Sequence, residues 1–517
     1  MWWCSVCTDR FIKLKNSLRN RYEFTLPSYQ FPLVLRIIGL LLMIEAGFML
    51  IPLATSVVYA EADCSMAFLW SAVITFVCGA GLYKVPIKTT QMRRREGFLL
   101  TSVVWVFFSA FSMIPFCVTG VLPSITDAFF ESMSGFTTTG LTMIADVEKA
   151  PHGILMWRAL SQWIGGMGII LFTLAVIPML NTKGGIAMFN AEVTGISHER
   201  MRPRVSETAM WLWGLYVFYT VLLCALLAVG PMNMFDAICH TLSTVSTGGF
   251  STVNDYSKYA DIYSNCIIML FMFVCGINFA LVFAVAKRNG LKALKHSTTL
   301  KWYTMVVLIT SLVIMGRTLY YDTTVNIHAQ LSDKTLLDHA VDAAFNTVSA
   351  ITSTGFAAIN FEAYGTFVSF VLMVVMFFGG MAGSTAGGAK IDRMVVMIKN
   401  IRNEFYKVIH PNTVTAVRVD GRAVPQYLVS RVVAFLSIFI FYMVVMSLAF
   451  NFLGINDPFE AFFTSMSCIS NVGLNIVTDL DAVHPLAKWL MSLEMMVGRL
   501  ELFTVLVLFT RDFWFES

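Results

Sequence analysis

Ten stretches of this chain are long and apolar enough to cross a lipid bilayer, and that excludes most folds at once. Crossing about 30 Å of hydrocarbon takes roughly 20 mostly apolar residues. The stretches run from about 31 to 55, 66 to 85, 98 to 119, 153 to 179, 208 to 230, 262 to 286, 302 to 321, 366 to 398, 427 to 452 and 485 to 510, the eighth being interrupted. Lipid offers no partner to a backbone N–H or C=O, so spans of this length satisfy their polar groups as helices. Composition agrees: 57% of the 517 residues are hydrophobic and 13% charged, against roughly 25% charged in a soluble domain. The expected fold is an all-α polytopic membrane protein.

Lys and Arg set the orientation, because cytoplasmic connections carry an excess of them. They cluster at Lys84, Lys88 and Arg93 to Arg95; at Lys183, Arg200, Arg202 and Arg204; at Lys287, Arg288, Lys292 and Lys295; and from Lys390 through Arg422. The connections between these, such as the one holding Glu61 and Asp63, are poorly basic. Both termini are thereby expected on the cytoplasmic side. The net charge of +4 reflects this bias and gives no support to nucleic-acid binding. The first span follows some 30 residues that include Arg10, Lys13, Lys15, Arg19 and Arg21, too long and too late for a cleaved signal peptide.

Catalysis finds no foothold. Cys4 and Cys7 form a CxxC with no second pair to complete a metal site, and no two of the eight histidines have HExxH spacing. Cys78, Cys224 and Cys275 fall inside spans, where a thiol acts as a small apolar residue.

An internal repeat is more informative. Asp127 opens DAFFESMSGFTTTGL, Asp236 opens DAICHTLSTVSTGGF, Asp342 opens DAAFNTVSAITSTGF and Glu460 opens EAFFTSMSCISNVGL. Each acid precedes an Ala and lies thirteen residues before a Gly, and Leu or Phe follows that Gly. The four glycines, Gly140, Gly249, Gly355 and Gly473, are spaced by 109, 106 and 118 residues. Each motif lies between two spans and is too short to cross a bilayer itself, so it reads as a re-entrant half-helix. The acid, and Pro458 after Asp457, suit a first helical turn. The Ser, Thr and Gly residues mark its end.

Irregular backbone at membrane depth survives only where protein buries it or water reaches it. Four such loops about one axis would present carbonyl oxygens able to replace the water shell of a cation, and Gly permits both the backbone angles and the close approach this requires. The expected ion-binding set is Thr138, Thr139 and Gly140; Thr247, Gly248 and Gly249; Ser353, Thr354 and Gly355; and Asn471, Val472 and Gly473.

With these four motifs the chain resembles the Trk/Ktr/HKT superfamily of potassium transporters, and specifically the Trk-type membrane subunit. The resemblance covers about residues 98 to 512, and an additional N-terminal pair of spans favours the Trk branch. It implies four tandem membrane–pore loop–membrane units around one pseudo-fourfold pore, with K+ as the transported ion bound through filter carbonyls. Gly140 stands where a Ser accompanies sodium transport in related plant members, which favours potassium. The implied partners are a second copy of the chain and a cytoplasmic RCK-type nucleotide-binding regulatory subunit, the implied location the bacterial inner membrane. No organic cofactor is expected. The implied division is 1–30 cytoplasmic, 31–97 an N-terminal transmembrane hairpin, then pore units at 98–207, 208–300, 301–426 and 427–517.

The interruption in the eighth span reads GGMAGSTAGGAK from Gly379 to Lys390. A helix loses about 1 kcal/mol for each Gly that replaces Ala, so the run predicts a break below the third motif. In the family resembled, this place is an intramembrane gating loop. Its candidate residues are Gly379, Gly380, Gly383, Ser384, Thr385, Gly387 and Gly388, the alternative being a close helix-packing surface. Arg499, in MMVGRLELF of the last span, is costly at such depth unless it faces polar groups, and carbonyls of the broken helix would serve. The matching family Arg occupies the pore. Glu494 and Glu501, seven residues apart on that span, are placed on one face as possible counter-charges. Asn278, in CGINFAL, reads as a helix-to-helix hydrogen bond or as a family motif. An alternating-access symporter of another solute is the competing reading, but its inverted repeats do not match four motifs that share one direction.

Overall fold

A computed structural model describes residues 31–87, 92–166, 168, 205–254, 256, 261–285, 294–325, 335–359, 361–477 and 480–515. Cys4, Cys7, Lys183, Arg200, Arg202, Arg204, Lys287, Arg288, Lys292 and the end of the span expected to reach 179 lie outside them. Helices account for nearly all regular structure; the strands among the described residues are the two-residue pair Arg418–Val419 and Arg422–Ala423. Among the described residues six helices are long and apolar enough to cross a membrane: Phe31–Val58, Ala62–Tyr83, Arg95–Val118, Met210–Val229, Thr298–Tyr321 and Gln426–Phe452.

The first two form the N-terminal hairpin. Gly39 and Gly79 face each other across it, so closely that a Cβ on either would fall 2.5 or 2.8 Å from the other's carbonyl oxygen. Without a hydrophobic drive between helices in lipid, such small residues let dispersion contacts hold the pair.

The other four long helices each open one repeat. A short helix follows in each: Ile125–Phe136, Met234–Val245, Leu336–Ile351 and Pro458–Ile469. Ser124, Asn233, Thr335 and Asp457 cap their first turns by accepting from backbone N–H groups of Asp127, Asp236, Asp338 and Phe459. Asp127 and Asp236 thus lie in the first turn, as the sequence predicts. The third copy differs. Its helix starts six residues ahead of Asp342, at a Thr335–Asp338 capping box, so Asp342 sits in the second turn, and the helix has 16 residues against 12 in the others.

Each repeat closes on a second helix: His152–Gly166, Ile262–Cys275, Thr366–Phe378 or Pro485–Arg499. The last three have 14, 13 and 15 residues, about 20–22 Å of helix, too short to cross; the first is described over 15 residues, to Gly166. Two expectations are corrected here. The span 262–286 breaks at Gly276, and Asn278 caps a new helix, Phe279–Ala284, by accepting from the Ala280 N–H at 2.7 Å. The span 485–510 also breaks: its helix ends at Arg499, and Glu501 and Leu502 take positive φ of 55° and 24°. Glu494 and Glu501 therefore do not share a helix. Glu494 is buried and accepts from Ser465 Oγ at 2.7 Å, whereas Glu501 belongs to the turn beyond.

Candidate functional site

The four short helices end alike. In each, the residue after the C-cap is left-handed: Thr138, Thr247, Ser353 and Asn471 have φ between 52° and 55°. Its N–H bonds back to the second-last helical carbonyl, and the next N–H to the carbonyl one residue earlier. The latter bonds are Thr139 to Ser134, Gly248 to Ser243, Thr354 to Ser349 and Val472 to Ser467, at 2.8–3.0 Å. This paired closure satisfies carbonyls that a helix end leaves open. It also fixes where the next residue, the motif glycine, must go.

Those glycines have φ of 81–88°, a region costing an L-residue with a side chain roughly 1–2 kcal/mol. Space forbids one as well. A Cβ on Gly140 would fall 2.2 Å from the Gly248 carbonyl oxygen, on Gly249 1.8 Å from that of Thr354, on Gly355 2.0 Å from that of Val472, and on Gly473 2.0 Å from that of Thr139. The contacts close on themselves, first repeat to second to third to fourth to first. Eight of the twelve expected residues make these contacts; Thr138, Thr247, Ser353 and Asn471 are the left-handed residues just before them, and Asn471 Nδ2 ties the fourth loop to the first through Thr139 Oγ1 at 3.1 Å.

Buried polar side chains brace the ring from behind. Four residues after the motif acid stand Glu131, His240, Asn346 and Thr464. Glu131 accepts from the Met143 N–H at 2.7 Å, His240 Nε2 lies 3.1 Å from Ser251 Oγ, and Asn346 Oδ1 accepts from the Ala358 N–H at 3.2 Å. Each holds the strand leaving its own loop. The Thr464 hydroxyl has no hydrogen-bond partner among the described residues. Glu131 also pairs with Arg158 at 2.7 Å, the two side chains 0% and 2% exposed, and Arg158 donates to the Ser251 carbonyl at 3.1 Å. That pair joins the first loop to the second. Gln162 clamps the second loop, with Nε2 donating to the Gly248 carbonyl at 2.6 Å and Oε1 accepting from the Phe250 N–H at 3.1 Å. Sequence reading missed Glu131, Arg158 and Gln162; for Glu131 the available signal was one polar residue at the same register of every short apolar helix.

The 379–390 segment is a loop, packed against the helix ends that carry the ring. Gly379, Gly383, Gly388 and Lys390 have positive φ. Gly379 and Gly388 touch, folding the loop double, and Gly380 meets Ala386. Gly387 N donates to Ser353 Oγ at 2.5 Å, and a Cβ on Gly387 would meet the Ser470 carbonyl at 2.2 Å. Thr385 Oγ1 reaches the carbonyls of Val245 and Cys275 at 3.4 Å. Ser384 Oγ closes a turn on the Met381 carbonyl, and Gly383 lies against Asn278 rather than the ring. The close-packing alternative describes Gly379, Gly387 and Gly388, although the packing is within the loop and not between continuous helices.

Arg499 donates to the Thr385 carbonyl at 2.8 Å and to the Gly165 carbonyl at 3.1 Å. One guanidinium so joins the loop of the third repeat to the first repeat's second helix. Beyond it, Glu501 pairs with Lys390 at 3.3 Å and with Arg393, while Arg393 lies over the Phe435 ring at 4.0 Å. The break at 499–502 holds the loop through its carbonyl and through the residues that follow it.

Four similar units closing a ring within a bundle of membrane-length helices define a polytopic transport protein. The sequence profile of a family described as TrkH, cation transport protein, matches residues 64–516. The chain belongs to that family, whose members are transporters and not enzymes. It is 34% identical over 498 residues to the Trk system potassium uptake protein TrkH of Escherichia coli (strain K12), covering 94% of this chain and 100% of that one. Identity to the Vibrio parahaemolyticus protein of the same description is 32% over 494 residues, covering 94% and 99%. The crystal structure of the potassium transporter TrkH from Vibrio parahaemolyticus superposes with a TM-score of 0.81 at 31% identity, covering 94% of this chain and 100% of that one.

Proposed function

We propose that this chain takes up potassium across the bacterial inner membrane through the ring of glycine loops, each repeat contributing carbonyl oxygens to a dehydrated cation. The closed order of contacts among Gly140, Gly249, Gly355 and Gly473 carries the reading. A gap at one junction would leave the ion partly hydrated, and four equivalent backbone turns leave none. The relatives described as potassium uptake proteins supply the ion's identity.

The loop and Arg499 form the gate. Thr385 and Gly387 contact the short-helix ends of the second, third and fourth repeats, and Arg499 reaches the first. A cation leaving the ring meets a guanidinium before it meets water, so conduction requires the Arg499 bonds to Thr385 and Gly165 to break. A second copy of the chain and an RCK-type nucleotide-binding subunit complete the assembly. Exposed Phe405, Tyr406, Val408 and Ile409, at the end of helix Ile391–Ile409 that continues from the gate, offer a surface on which such a partner could act.

Growth of a potassium-uptake-deficient bacterial host at low potassium tests this. The chain, with a regulatory subunit supplied, should restore growth, and Gly140→Ser at equal expression should not. Rescue by sodium alone, or equal rescue by both chains, refutes the proposal.

A further inference from the structure

A cavity of about 50 Å³ lies between the N-terminal helix and the first repeat. Its walls include Leu41, Phe48, Val104, Trp105, Phe108 and Phe136. Glu45 also lines it, 1% exposed, with neither carboxyl oxygen hydrogen-bonded to any described residue. Glu45 is the fifteenth residue of a 28-residue span, Phe31–Val58, about 21 Å along it and near mid-bilayer. A carboxylate at that depth costs at least about 2.5 kcal/mol unless something neutralises it. No described residue does.

The walls narrow what can. A metal ion needs several oxygen ligands, and no group of three or more acidic, His or Cys side chains occurs among the described residues. Anions are repelled. Water needs two to four polar partners, and beyond the Glu45 carboxyl and the remaining lone pair of Thr101, whose hydroxyl proton is given to the Gly97 carbonyl, the side chains of the wall are apolar. A suitable occupant brings N–H donors on an apolar body. Aromatic faces then favour its positive charge, and the free lone pair of Thr101 adds an acceptor.

We propose that this cavity binds a small lipophilic organic amine as its ammonium, with Glu45 as counter-ion. The neutral amine enters from the bilayer, and the carboxyl O–H bond of Glu45 breaks as its proton passes to the amine lone pair. One N–H bond forms, the carboxylate remains as partner, and no other reactant is needed. The cavity volume limits the apolar body to a few carbons. The cavity touches the proposed gate at Gly165, whose carbonyl accepts from Arg499, and no hydrogen bond among the described residues joins Glu45 to the ring or the loop.

The test uses the purified full-length chain in lipid nanodiscs, titrated with n-propylamine and with propan-1-ol. Saturable binding of propylamine, at least tenfold weaker in Glu45→Gln, is expected, with no saturable binding of propan-1-ol. Should that variant fail to fold, the wild-type chain still decides the question: a short alkylamine bearing a diazirine should photolabel Trp105 or Phe108, and excess propylamine should chase the label while propan-1-ol does not. Absence of binding to wild type, equal binding by Glu45→Gln, equal binding of the alcohol, or label elsewhere overturns the proposal.

Discussion

Gly249→Ala puts the tightest junction of the ring under a known load. The new Cβ would fall 1.8 Å from the Thr354 carbonyl oxygen and 3.0 Å from its carbon, and real Cβ atoms essentially never approach below 3.0 Å. The second and third loops must then separate by about 1 Å, or Gly249 must leave its φ of 81°. Keeping that φ with a side chain costs about 1–2 kcal/mol; the gain from a stiffer unfolded chain, about 0.4–1 kcal/mol, does not offset it. The displaced atom is itself a ring carbonyl, so the strain appears where an ion would lose its water. A loss of about 1.4 kcal/mol in discrimination is tenfold, and at least tenfold lower selectivity for rubidium over sodium is expected in proteoliposome flux. Gly47→Ala is the control, because a Cβ there meets nothing within 4 Å. It should leave rate and selectivity unchanged. Wild-type selectivity in Gly249→Ala, in protein that folds and inserts normally, would refute the packing argument.

Two further outcomes follow from the contacts around the ring. Arg499→Ala removes the bonds to Thr385 and Gly165 and should raise flux several-fold without a regulatory partner. Arg499→Lys should raise it less, since a single ammonium keeps the charge without the planar fork; flux at or below wild type in Arg499→Ala contradicts the gate. Gln162→Leu leaves the buried Phe250 N–H without its acceptor and frees the Gly248 carbonyl, a loss of about 1–3 kcal/mol. Reduced selectivity at normal expression is expected, and unchanged selectivity would make Gln162 a packing residue only.

How much of this was legible beforehand depended on whether one residue or a pair carried the feature. The motif glycines were visible because four copies share a register, and the loop at 379–390 because glycine depresses helix formation wherever it falls. The breaks at Gly276 and at Arg499–Leu502 were hidden. Each flanks an apolar run long enough to pass as a span, and contacts distant in sequence support the break, with Gly383 at the first and with Thr385, Gly165, Lys390 and Arg393 at the second. Glu131, Arg158 and Gln162 escaped for a related reason: their roles lie between repeats, at partners 86 to 93 residues away for Arg158 and Gln162. The placement of Asp342 failed because an earlier capping box outcompeted it, a local signal present in Thr335 and Asp338.

Anomalous diffraction from crystals soaked in a thallium or rubidium salt reaches the central claim without passing through a mutant. A peak on the axis enclosed by the Thr139, Gly248, Thr354 and Val472 carbonyls is expected, weakened by competing potassium and unaffected by equal sodium. Ordered crystals with an empty ring, or with heavy-ion density only at surface carboxylates, would contradict it.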